Sequence, residues 1–143
     1  MVGIAPTTSA DLFASGAFDA HGVVEGLESV LTAAQTDERR WVIVVDDAER
    51  IEVESGPLLD LAKNAPPNVT FIAGLRSSTA RQSYGHWSRF LRGSGNGVLL
   101  QPDNSVDGEL LGVRLPRHER LPEVPGRGYL VTGGEAHVVQ LAR

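Results

Sequence analysis

The longest uninterrupted apolar stretch before a charge is Trp41-Val42-Ile43-Val44-Val45, four of its five residues β-branched, and it runs straight into Asp46-Asp47. Loss of the polar–apolar alternation reads as a parallel strand covered on both faces, with the two carboxylates at its carboxyl end. That is the edge where open α/β sheets hold ligands. Val2 to Ala5 and Val69 to Ala73 are similar short runs, ended by Pro6 and by Gly74, and predict two further strands. Val98 to Leu100 predicts a fourth.

Between these runs the period changes. Val23, Leu27, Val30, Leu31 and Ala34 recur at helical spacing from Asp19, a plausible cap, to Gln35. Ser55-Gly56-Pro57 starts a short helix with Leu58, Leu61 and Ala62 on its apolar face, and Pro66-Pro67 stops it. Thr79 to Arg92 reads as one amphipathic helix, with Ala80, Tyr84, Trp87 and Leu91 on one face and Arg81, Arg89 and Arg92 on the other. Pro6 to Gly16 reads as loop, and Asp107 to Leu111 as a helical turn. Leu115 to Arg127, with three prolines, reads as an extended connection. Tyr129 to Thr132, Gly133-Gly134 and Ala136 to Leu141 form a hairpin pattern. Strands alternating with helices predict an α/β fold with a mostly parallel sheet, flanking helices and a C-terminal β-hairpin.

Composition narrows the function classes. A chain of 143 residues fits one compact domain, and 41% hydrophobic with 22% charged residues is ordinary for a globular protein. Without cysteine there are neither disulfides nor thiolate metal sites. No run approaches the ~18 apolar residues of a membrane span, so direct membrane insertion is not expected and a cytoplasmic location is. A net charge of −5 argues against a nucleic-acid footprint. His21, His86, His118 and His137 lack ligand spacing. Ser77, Ser78 and Ser94 have no base nearby in sequence to support a hydrolase triad.

A strand ending in an acidic pair is the Walker B pattern. The first carboxylate (Asp46) would hold Mg²⁺ and the second (Asp47) would orient an attacking water. The same pattern also arises from a buried strand followed by two solvated aspartates. A P-loop, Gly-x-x-x-x-Gly-Lys-Ser/Thr, would supply the phosphate cradle. The chain contains none, and Lys63, its only lysine, follows Leu61-Ala62 with no glycine loop around it. A phosphoacceptor receiver domain is excluded, because a strand and helix precede the acidic pair and no lysine follows Lys63.

In this order the blocks resemble the C-terminal part of an FtsK/SpoIIIE-type ATPase domain, and more narrowly the last ATPase module of type VII secretion (EccC-type) ATPases. Trp41 to Asp47 matches the Walker B strand. Phe71 to Ser78 resembles the next strand and its polar end, Val98 to Gly112 the following strand and turn, and Pro125 to Leu130 the Gly-Arg-Gly entry to the hairpin. The resemblance spans residues 1–143 as a partial ATPase domain. It implies a RecA-like sheet lacking the P-loop strand, which would lie between the strands at Val69 to Ala73 and Val98 to Leu100. Those two strands are then expected to pair directly, or a second chain to fill the gap. Either a preceding segment is missing or the cradle has been lost.

The resemblance also implies ATP and Mg²⁺ as cofactors, with Asp46 on the metal, Asp47 in the catalytic position, and Arg76 and Arg127 near nucleotide. Arg81 is a further candidate near phosphate or at a subunit boundary. The implied partners are other modules or subunits of a ring ATPase, homo-oligomeric copies included, and the C-terminal signal of a secreted protein. Several residues depart from the pattern. The usual catalytic glutamate is Asp47, the Thr-Gln pair that senses phosphate is Gly74-Leu75, and a Ser-Arg pair is Gly108-Glu109. A regulatory or substrate-binding module, inactive in ATP hydrolysis alone and binding no nucleotide tightly, is therefore expected. A non-enzymatic interaction module and a DNA-translocase remnant are the alternatives.

Overall fold

The computed structural model describes residues 1–6, 16–116 and 121–141. Contacts divide the chain into two compact units, Met1–Leu91 and Arg92–Arg143. Most of the loop expected at Pro6 to Gly16, and His118 within the extended connection, lie outside the described residues.

The first unit is built on a four-stranded parallel sheet in the order β2-β1-β3-β4, with β1 Val2–Ile4, β2 Ala20–Gly22, β3 Trp41–Val45 and β4 Val69–Ala73. In this register Val2 and Ile4 stand beside Ile43 and Val45, which stand beside Phe71 and Ala73. Paired residues of parallel strands share a face, so these six make one apolar surface. Helix α1 (Glu28–Thr36) adds Leu31 and Ala34, and helix α2 (Pro57–Asn64) adds Leu58 and Leu61 to the same core. Pro57 occupies the first turn of α2, where its missing N–H costs nothing.

The opposite face corrects the expectation that β3 is covered on both sides. Ile43 and Val45 are fully buried while Val42 and Val44 are half-buried, and Ile72 beside Val44 is 55% exposed. Alternation is present in burial but not in sequence, because both faces carry apolar residues.

Two expected helices are also revised. The segment from Asp19 to Gln35 begins as strand β2, whose backbone pairs with β1, makes a 3-10 turn at Val24–Gly26, and becomes α-helical at Glu28. Asp19 does not cap a helix; its carboxylate takes the N-terminal ammonium. An otherwise open edge of β1 gains backbone partners this way, and such groups are costly to leave unpaired. The helix expected over Thr79 to Arg92 is two pieces, α3 (Ser77–Gln82) and α4 (Arg89–Arg92). The interruption has a tertiary cause. The Trp87 indole N–H donates to the Ile51 carbonyl at 2.7 Å, and His86 Nε2 lies 3.0 Å from the same oxygen. A carbonyl only accepts, so His86 carries its proton on Nε2 and accepts at Nδ1 from Ser88 Oγ at 2.9 Å. These bonds fix Trp87 in the core and leave Tyr84, assigned to the apolar face, 83% exposed.

The second unit holds a three-stranded antiparallel sheet, β5-β6-β7, with β5 Gly97–Leu100, β6 Arg127–Thr132 and β7 Glu135–Gln140. The two-residue turn Gly133-Gly134 has φ of 59° and 81°, the left-handed pair a tight hairpin requires. Leu99, Tyr129 and Val131 face Val113 and Leu115 to make a separate small core. Strand β5 therefore joins the hairpin, and β4 pairs among the described residues with β3 alone, so the expected direct pairing of β4 with β5 is not formed. The expected turn at Asp107–Leu111 is a 3-10 turn in which Asp107 is buried. Its carboxylate accepts the Asp103 N–H at 2.9 Å.

Candidate functional site

Strand order reverses between β1 and β3: from β1 the chain moves outward to β2, then crosses to β3 on the other side. Carboxyl ends of parallel strands at such a reversal form a crevice for ligands. Asp46 stands there. Its backbone N–H donates to the Ile4 carbonyl at 2.9 Å, tying it to the end of β1. On the other side Gly74 N–H bonds to the Val45 carbonyl at 2.8 Å, and Ala48 N–H to the Gly74 carbonyl at 2.9 Å. The acidic pair is thus clamped between the ends of two neighbouring strands.

The clamp turns the chain sharply. Asp47 has φ 45° and ψ 44°, the left-handed region that aspartate tolerates better than most residues, and a 3-10 turn follows at Ala48–Arg50. Its N–H donates to Asp46 Oδ1 at 3.0 Å, and its own carboxylate pairs with Arg50 at 3.3 Å. Asp47→Ala is expected to cost about 1 kcal/mol from backbone strain, and Asp47→Gly to be neutral or stabilising. Chemical denaturation of the two variants measures the difference; equal losses would show that the carboxylate, not the backbone, sets the cost.

Glu49, which no local sequence pattern marks, is the most enclosed charge of the group. Its side chain is 8% exposed, Oε1 lies 3.8 Å from Arg76 Nε, and Oε2 is buried without a hydrogen-bond partner. Arg76 itself is 81% exposed and precedes α3. A sequence signal for Glu49 existed only in hindsight: it sits one short turn after a strand end. Asp46, Asp47 and Arg76 therefore belong to one edge of the first unit. Arg127 is in the second unit on β6, with its Nε buried and unpartnered, and Arg81 is on α3 of the first.

The carboxylates at this edge already have partners within the chain. Asp46 Oδ1 already accepts an N–H, Asp47 is held by Arg50, and Glu49 faces Arg76. Gly74 offers no side chain, and a Cβ there would meet Asp46 Oδ1 at 3.4 Å. Among the described residues no three His, Asp or Glu side chains group as a metal site. No Gly-rich Lys-Ser/Thr loop stands in the sequence. Among the described residues, no helix is long and apolar enough to cross a membrane.

Neither protein-family models nor curated proteins match this sequence. A solved structure does: EccC of Thermomonospora curvata, comprising ATPases 2 and 3, in complex with a signal sequence peptide. The similarity has a TM-score of 0.63 at 17% identity and covers 99% of this chain but 31% of that one. This chain thus spans about a third of the length of its structural neighbour, and the two share a fold. A parallel sheet with flanking helices followed by an antiparallel hairpin sheet is consistent with a RecA-like fold.

Proposed function

We infer that this chain is an ATPase-fold module that binds a protein segment, and that it does not turn over nucleotide by itself. In a larger assembly it acts as a regulatory or substrate-binding module of a secretion ATPase. The observation carrying this reading is the state of Asp47. In the catalytic position it is tied to Arg50 at 3.3 Å, beside Gly74-Leu75 where a polar sensor is expected. Support for a protein ligand comes from the structural neighbour, solved with a signal sequence peptide. On this reading Asp46 and Asp47 preserve the strand end as a clamp, and the partners are other modules or subunits of a ring together with a secreted polypeptide.

Calorimetric titration of the chain with Mg·ATP tests it. No saturable heat is expected up to about 1 mM nucleotide, a free energy near −4 kcal/mol. Micromolar binding, weakened by Asp46→Asn, would overturn the reading and restore a nucleotide site.

A further inference from the structure

The first unit contains a second feature, which begins just after the 3-10 turn that follows the acidic pair. A cleft of about 560 Å³ opens between the segment after the 3-10 turn, α2, and the segment that interrupts α3 and α4. Its size falls within the ~300–1,000 Å³ of sites that seat small ligands or a few side chains. Glu52 and Glu54 line it from the first segment, Lys63 from α2, Trp87 from the interrupting segment, and Arg89 and Phe90 from the start of α4. Phe90 is half-buried and Trp87 is buried, so the interior is aromatic.

The charges around that aromatic surface are unusual in their pairing. Lys63 Nζ lies 5.6 Å from the Phe90 ring centre and Arg89 Cζ lies 4.8 Å from it, two cations on one ring. Arg89 also donates to the Tyr84 carbonyl at 3.1 Å. Among the described residues neither Lys63 nor Arg89 lies at ion-pair distance from a carboxylate, and neither Glu52 nor Glu54 lies at ion-pair distance from a cation. Two unpaired cations and two unpaired carboxylates thus share one cleft without neutralising each other. Beside it Tyr84 stands 83% exposed on the interrupting segment, the type of aromatic that anchors protein interfaces.

We propose that this cleft is the docking site for a segment of another polypeptide in which an apolar side chain is flanked by an acidic residue on one side and a basic residue on the other. The inference rests on the protein-binding reading above and names the surface and the chemistry it recognises. The apolar side chain covers the half-buried Phe90; the acidic residue meets Lys63 and Arg89; the basic residue meets Glu52 and Glu54. A polyphosphate does not suit the same groups, because Glu52 and Glu54 repel the charge that Lys63 and Arg89 attract. Complementary charge of this kind selects the partner and fixes its direction more than it adds affinity.

The probe is a displayed library of random short peptides, selected on the full chain. The enriched sequences, made synthetically, are then measured by fluorescence anisotropy. The expected consensus is acidic, apolar, basic. Lys63→Glu with Arg89→Glu, and separately Glu52→Lys with Glu54→Lys, should each weaken binding about tenfold. All four side chains are exposed, and an unchanged near-ultraviolet tryptophan signal certifies the fold. Reversing all four should favour the peptide with its acidic and basic residues exchanged. Enrichment of nothing, a consensus without charge, or binding indifferent to the reversals would overturn the cleft. Peptides that bind but ignore the reversals remove only this site and leave the protein-binding reading standing. Micromolar Mg·ATP binding removes that reading itself.

Discussion

Trp87→Ala is expected to lower the stability of the first unit by about 3–5 kcal/mol, the usual cost of truncating a buried aromatic. Trp87 is 2% exposed and belongs to the core with Leu31, Ile43, Leu58 and Leu61. Truncation removes the ring's contacts, and the Ile51 carbonyl loses its shorter hydrogen bond. A domain holds only about 5–15 kcal/mol in total, so this single change leaves little. Urea denaturation followed by far-ultraviolet circular dichroism gives the value. Trp87→Phe separates the contributions: it retains most of the volume and should cost about 1–2 kcal/mol for the lost donor. A loss under 1 kcal/mol for the alanine variant would mean that the indole does not organise the segment between α3 and α4.

The second large effect is expected at Gly128. A Cβ built there would overlap the Leu99 carbonyl oxygen and press on Leu100 Cα. Leu100 is the residue that Gly128 pairs with across β5 and β6. Because the obstacle is backbone, no rotamer change relieves it, and Gly128→Ala should separate the strands at a cost of about 3 kcal/mol. Amide hydrogen exchange across β5 is the direct measurement: protection of Leu99 and Leu100 should fall while β7 is affected less. Gly133→Ala is the control. Its φ is 59° but no atom lies within 4 Å of a Cβ there, so about 1 kcal/mol of backbone strain is expected. Equal costs at the two positions would show that conformation, not the close approach of β5, is what demands glycine at 128.

Legibility from sequence followed the range of the interactions involved. Strands β1, β3, β4 and β5, helix α2 and the Gly133-Gly134 hairpin lie where the local patterns put them, because β-branched runs, first-turn proline and paired glycines act within a few residues. Strand β2 was missed, since Ala20–Gly22 becomes a strand only by pairing with β1. The single helix over Thr79 to Arg92 was misread for a similar reason. Its apolar spacing is helical, but His86 and Trp87 both reach a carbonyl 35 and 36 residues earlier, and those bonds outweigh the local preference.

At the acidic strand end the sequence found Asp46, Asp47 and Arg76 but not Glu49, whose burial is invisible in one dimension. Its pairing with Arg76 spans two strand ends and depends on the alignment of β3 with β4. The cleft is likewise invisible in one dimension: Lys63 has no glycine loop beside it in sequence, and its neighbour in space is Phe90.

By itself, then, the sequence determined the alternation of elements, the parallel sheet, the acidic pair at a strand end, and the hairpin. Each of these follows from residue periodicity or from turn chemistry confined to neighbouring positions. Tertiary structure alone decided that β5 joins the hairpin, that Asp47 is drawn to Arg50 in a left-handed turn, and that Lys63 and Arg89 meet at the Phe90 ring in a cleft shared with Glu52 and Glu54. Those outcomes depend on which backbone edges and side chains meet across long stretches of chain. One strand's hydrogen-bonding capacity does not specify its partner; register and packing do.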